Sequence, residues 1–214
     1  MNTTPKSVWQ YGSPEGRAQA IPLRAGPATM SFEPETAFLR HIRIGDHELV
    51  RAVYGAVRNR DWTTVPARIS NLRFEISNDS FQLGFQADCQ KDDLDFHWQG
   101  SLSGDAQGKI VYQFDGEARS TFLRNRIGLC VLHPILECSG KPCAVERADG
   151  TREQGVFPNH ISPHQPFKNI RALSYEVAPG VRVEVRCEGD VFEMEDQRNW
   201  TDASFMAGCA DITA

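Results

Sequence analysis

The chain is predicted to be all-β, a large antiparallel β-sandwich of two stacked sheets, and three observations carry that prediction. Apolar residues recur with period 2 in many separate runs, the runs are divided by Gly, Asn and Asp turns, and no stretch beyond two turns keeps a helical period. Phe38–Ile44 alternates over its second half, Gly45-Asp46 turns, and His47–Val50 continues as the partner strand. Leu72–Ile76 and Phe81–Phe85 alternate on either side of Asn78-Asp79. Leu94–Trp98 and Ile110–Phe114 flank the Gly-rich turn 104–108. Ile127–Leu132 is apolar almost throughout, which suits a central strand buried on both faces. Val181–Cys187 alternates strictly after the turn Pro179-Gly180. Strands this numerous fold into two layers with one wet face each.

The 214 residues suffice for one large β domain, and 40% hydrophobic content can fill its core. Residues 1–27, rich in Gly, Pro and Ala, read as an irregular lead-in. Residues 28–205 read as the sandwich, and 206–214 as a tail of small residues. A net charge of −5 argues against a nucleic-acid surface. No apolar run approaches the ~18 residues of a membrane span. Met1–Ser7 lacks the apolar core of a secretory signal, so a cytoplasmic location is expected. In that compartment the six cysteines read as free thiols, with Cys89, Cys130 and Cys187 as small core residues. Their spacing supports no metal site, and no phosphate loop or dinucleotide fingerprint implies a cofactor. Arg greatly outnumbers Lys, and a planar guanidinium fork suits carboxylates and polyols.

Four constellations could carry chemistry. In Arg58–Thr63, Trp62 beside Arg60 and Asp61 offers a sugar ring an apolar floor with polar edges; a loop ion pair with a half-buried indole is the alternative. Asn125 and Arg126, with Arg124, open the central strand and could hold a polyol or carboxylate, while His133 at its far end has the right acidity for proton transfer near neutral pH. His160 and His164 are interrupted by Pro163, so they share no helix face. Phe192–Phe205 is the densest cluster. In a strand, Glu193 and Glu195 point one way and Met194 and Asp196 the other, followed by Arg198, Asn199 and Trp200. Paired acids suit general acid–base work. Asp196, Arg198, Asn199 and Asp202 fit equally well as a hydrogen-bonded corner. Gly100–Gly104 imitates a nucleophile elbow but has Leu102 at its centre.

Several of these stretches together resemble the N-terminal part of the D-apionate lactonase family. They are Leu23–Pro27, Arg60–Thr63, Ile69–Leu72, Arg124–Gly128 with Val131–Pro134, Ile161–Pro163 with Gln165–Phe167, and Phe192–Phe205. The resemblance implies opening of D-apionolactone by water to D-apionate. It further implies a three-part enzyme in which a β-sandwich precedes a barrel domain that holds the catalytic carboxylates. On this view the partners are a sugar lactone or sugar acid and a barrel domain that this chain lacks. Met206–Cys209 departs from the family pattern, as a truncated or frameshifted frame would. An apolar patch near 192–205 is then expected where the neighbour would abut. The run Arg124–Pro134 also resembles the sugar-facing strand of galactose-mutarotase-like supersandwiches.

No catalytic residue follows from the resemblance; His133, Glu193 and Glu195 are the side chains able to move a proton. Arg60, Asp61, Trp62, Asn125, Arg126, Asp196, Arg198, Asn199 and Trp200 are the substrate-binding candidates. Two further readings remain. One is a free-standing mutarotase-like epimerase using His133 or His164 with Glu193 or Glu195. The other is a non-catalytic sugar-binding module with Trp62, Trp98 and Trp200 as platforms.

Overall fold

The computed structural model describes residues 19–210 and folds them into two antiparallel sheets. The chain opens with β1 (Ile21–Ala25), β2 (Ala28–Glu33), β3 (Phe38–Ile44) and β4 (His47–Asn59) of the large sheet. It crosses to the small sheet for β5 (Ala67–Ile76), β6 (Phe81–Lys91), β7 (Leu94–Gly104) and β8 (Ile110–Ala118). It returns through β9 (Arg124–Pro134), the short helix α1 (Ile135–Cys138), β10 (Pro142–Arg147), β11 (Arg152–Val156), β12 (Ile170–Ala178), β13 (Val181–Arg186), β14 (Phe192–Asp196) and β15 (Ser204–Cys209). The large sheet has 11 strands in the order β1-β2-β3-β4-β9-β15-β14-β12-β10-β11, with β13 beside β12; the small sheet runs β5-β6-β7-β8. The predicted sandwich is what forms.

The strands exist because their alternation is consumed by one shared core. Phe81, Leu83, Phe85, Ala87 and Cys89 of β6 point inward, as do Leu94, Phe96, Trp98 and Leu102 of β7. They meet Phe32, Leu39 and Val57 of the large sheet. Glycines make room for the rings. A Cβ on Gly100 would lie 2.1 Å from Phe85, and one on Gly55 would lie 2.9 Å from Trp98. Phe85 meets Trp98 edge-on at 5.1 Å, and Trp98 stacks on Phe114 at 4.5 Å. Each fully buried ring of this kind contributes ~3 kcal/mol of transfer free energy.

The far side of the large sheet is the outer face. Because β4, β9 and β15 pair in register, Ala52, Tyr54, Ala56, Cys130, Leu132 and Met206 all point there. Ala52, Ala56, Cys130, Leu132 and Met206 form a second small core with Phe38 and Tyr54 packed on it. β9 is therefore buried on both faces, as its composition predicts.

Three boundary expectations need correction. The reading of residues 1–27 as irregular fails at β1, which pairs with β2 from Ile21↔Phe32 to Ala25↔Ala28; the earlier part of that segment, with the Met1–Ser7 reading, lies outside the described residues. Met206–Cys209 is no appended tail. It is most of β15, every residue of which is buried between β9 and β14; Asp211–Ala214 lie outside the described residues. The apolar patch expected near 192–205 does not form either. Phe192, Met194, Phe205 and Met206 are buried, and of the large apolar residues in and beside that block only Val191 and Trp200 are exposed.

Candidate functional site

On the outer face an arginine, two glutamates and an indole converge where β9, β15 and β14 run side by side. The Glu195↔Met206 and Glu193↔Gly208 pairs place both acids on the outer side of β14, while Met194 and Asp196 turn inward, as the alternation predicts. Arg126 of β9, only 7% exposed, lies across β15 from them. Its Nη1 donates to Glu195 Oε1 at 2.7 Å and its Nη2 to Glu193 Oε1. Gln197 Nε2 donates to the other Glu195 oxygen at 3.2 Å. A guanidinium so little hydrated requires such partners.

The indole is delivered by a loop that Asn side chains build. Asn59 Oδ1 accepts from the N–H groups of Asp61 and Thr63, at 3.1 and 3.0 Å. Asn125 Nδ2 donates to the carbonyls of Asn59 and Arg60 at 2.9 and 2.8 Å. Trp62 is thereby held at φ 63°, a left-handed conformation unusual for a bulky residue. Its ring is 48% exposed and lies 5.3 Å from the Arg126 guanidinium carbon. Arg60 and Asp61 stand out in solvent, 3.9 Å apart.

The sequence grouping of the last cluster separates into two places. Glu193 and Glu195 belong to the outer face. Asp196, Arg198 and Asn199 form a corner beneath it. Asp196 accepts the Arg198 fork at 2.9 and 2.7 Å and the Ser162 N–H at 2.8 Å. Arg198 also donates to the carbonyls of Pro158, Asn159 and His160, and packs 5.1 Å from the Phe205 ring. Asn199 Nδ2 donates to the Ser162 and Asp196 carbonyls. Burial pushes the Asp196 carboxyl up, but the Arg198 fork and the Ser162 and Arg198 N–H groups outweigh it and hold it below the usual range. This trio pins the 158–162 loop to β14, which is the corner reading. Trp200, 62% exposed, stands beyond it.

His133 does not serve as an acid–base group. It points inward from β9 with no exposed surface. Tyr175 Oη donates to the Leu49 carbonyl at 2.6 Å, so His133 Nδ1–H donates to Tyr175 Oη at 2.9 Å and Nε2 is the bare nitrogen. Burial pushes the imidazole down to about 3. The polar strand end that suggested reactivity is a core hydrogen bond. Trp98, a suggested platform, is equally interior. His164 is exposed on its loop.

Tyr54, Cys130 and Met206 were given no site role from the sequence, because no motif marks them as one. They lie beside Arg58 on the same face. Tyr54 Oη is 3.9 Å and Arg58 Nη2 3.8 Å from Met206 Sδ, and the Phe38 ring stacks on Tyr54 at 4.1 Å. Burial pushes the Cys130 thiol up, which keeps it protonated. Among the described residues no group of three His, Cys, Asp or Glu side chains is arranged for a metal. No described helix is long and apolar enough to cross a membrane.

Comparison with known proteins adds the lineage. The family model for the D-apionate lactonase N-terminal domain matches residues 8–209, a span that includes Met206–Cys209. A curated D-apionate lactonase from Brucella anthropi is 39% identical over 196 residues, covering 91% of this chain and 32% of the relative. The chain thus spans about a third of the length of the curated relative it matches. A match along nearly the whole sandwich, from the first strand to the last, means that the chain belongs to the D-apionate lactonase N-terminal domain family.

Proposed function

We propose that this chain is the N-terminal β-sandwich of a carbohydrate-lactone hydrolase, that it acts on the route from D-apionolactone to D-apionate in the cytoplasm, and that it has little activity by itself. Its role is to shape or shield an active site on a neighbouring barrel domain. The supporting observation is that a D-apionate lactonase resembles this chain over only 32% of its own length. The local chemistry agrees. The acids that could have formed a catalytic pair, Glu193 and Glu195, are both tied to Arg126, and His133 is sealed in the core. Nothing in that arrangement offers a positioned base for water.

The test is lactone opening measured with this chain alone, with a full-length relative, and with the two mixed. Negligible turnover by the chain against robust turnover by the relative is the expected result. Turnover by the chain alone at the relative's rate would exclude a passive module.

A sugar-contacting role is favoured by one observation: Trp62 is half exposed above the Arg126–Glu193–Glu195 group, and such an indole can stack on the C–H face of a polyol. Of the two histidines in the epimerase reading, His133 is sealed in the core and His164 stays exposed on its loop.

A further inference from the structure

On the outer face, the Tyr54 phenol and the Arg58 guanidinium meet each other and one weak acceptor. Tyr54 Oη and Arg58 Nη2 both approach Met206 Sδ, at 3.9 and 3.8 Å. A thioether sulfur is a poor acceptor for either. Arg58 is partly buried, and every other arginine of the described residues that is not fully exposed has a carboxylate within 4.0 Å: Arg40 has Glu33, Arg51 has Glu48, Arg126 has Glu193 and Glu195, Arg147 has Glu153, and Arg198 has Asp196. Arg58 has none among the described residues, and Glu193 and Glu195 on the same face are engaged by Arg126. A partly buried guanidinium and a phenol aimed at one spot, with no carboxylate of the described residues paired to the guanidinium, can together hold an anion by charge-assisted hydrogen bonds.

The surroundings shape that spot. Ala52 and Ala56 flank Tyr54 on β4 with short side chains, and Cys130 and Met206 are buried in the same cluster. Phe38 stacks on Tyr54 with ring planes 8° apart and so fixes the direction of its hydroxyl. Arg40 caps Phe38 at 4.3 Å. Rigid walls of this kind hold donors in place before a ligand arrives.

We propose that Tyr54 and Arg58 form a carboxylate-binding subsite on the outer face of the large sheet, which takes a small polyhydroxylated carboxylate of the sugar-acid class. One carboxylate oxygen accepts from Arg58 Nη2 and the other from Tyr54 Oη, and both donors leave the sulfur. Phe38 faces the ligand's carbon chain. The polyhydroxylated part of this assignment rests on the lactone-hydrolase reading above; the anion part rests on the donors alone.

Titration calorimetry of the 214-residue chain tests it, with D-xylonate as probe and xylitol and acetate as the neutral and unhydroxylated controls. Xylonate should bind with a dissociation constant of roughly 1 mM and at least about ten-fold more tightly than either control. Arg58→Gln should weaken xylonate about ten-fold or more, Tyr54→Phe a few-fold, and the exposed Arg182→Gln on β13 not at all. Should Arg58→Gln fail to fold, the wild-type Arg58 Nε–H and Tyr54 ring resonances must still shift with added xylonate. Equal binding of xylonate and xylitol, full binding by Arg58→Gln, or unmoved resonances would overturn the subsite. Acetate binding as tightly as xylonate would overturn the sugar-acid assignment. Xylonate that binds this chain but not a full-length relative would instead give Arg58 to an interdomain carboxylate and also overturn the proposal. Lactone opening without xylonate binding would sink the subsite and spare the lactonase reading; the converse pair of results would do the reverse.

Discussion

Replacing Arg126 by Met tests the outer-face cluster most directly. The substitution keeps most of the side-chain volume and removes the guanidinium between Glu193 and Glu195, whose side chains are 13% and 15% exposed. Two carboxylates on one strand face, nearly dry and without a counter-charge, are left. Breaking a buried pair in this way costs ~3–5 kcal/mol, and the lower end applies because both acids keep some water. For a domain of this size ~3 kcal/mol lowers the melting temperature by roughly 6–12 °C. The Trp62 contact at 5.3 Å is lost as well, a smaller effect of about 0.5–1 kcal/mol. The assay is urea and thermal unfolding followed by near-ultraviolet circular dichroism. The compensated variant Arg126→Met, Glu193→Gln, Glu195→Gln should recover to within about 1 kcal/mol of the parent, since removing all the charges removes the penalty. A loss below about 1 kcal/mol in the single variant, or no recovery in the triple one, would refute the reasoning.

Three further outcomes are expected. The His133 ring resonances should stay unchanged from pH 8 to pH 5, since burial holds the folded imidazole near 3 while the unfolded one titrates near 6.5. The unfolded state therefore takes up the proton first, so stability is full above pH ~6.5 and declines by ~1.4 kcal/mol per unit below it; a His133 signal titrating near 6.5 would contradict this. Asp196→Asn should weaken the corner by ~2–3 kcal/mol at pH 7. The native carboxyl is held below its unfolded value, so its stabilisation is present above about pH 4 and lost as pH falls through the folded value; unfolding curves should show parent and variant converging in acid, and a constant gap would argue against it. Gly100→Ala should cost ~1–3 kcal/mol, because its Cβ would fall 2.1 Å from the Phe85 ring; an unchanged urea midpoint would mean that the ring moves freely.

The sheets were legible wherever one face is wet. The β5–β6 and β7–β8 hairpins carry period-2 alternation because their polar faces meet solvent. β15 carries no such signal. Met206–Cys209 is buried on both faces and, after Met206, built of small residues, so it reads as a nondescript tail. The site was legible in part. Residue types singled out Arg126, Glu193, Glu195 and Trp62, and strand parity put both glutamates on one side. Their meeting depends on β15 lying between β9 and β14, a pairing across some 70 positions that no local pattern encodes. Arg198 and Asp196 looked like ligand groups because a buried staple and a binding site use the same chemistry. His133 looked reactive because a lone histidine in sequence says nothing of its depth. Tyr54 and Met206 were silent because their interest arises only from what stands opposite them.

The position of β15 bears on how the molecule is made. It is the last strand among the described residues, yet it joins β9 to β14, and β14 reaches β12 through the single pair Ile170↔Phe192. In synthesis the two half-sheets therefore stay unjoined, each with a raw hydrogen-bonding rim, until residues 204–209 are made. Until then the β9 and β14 edges are open to pairing with other chains, the physical route by which unfinished sheets aggregate.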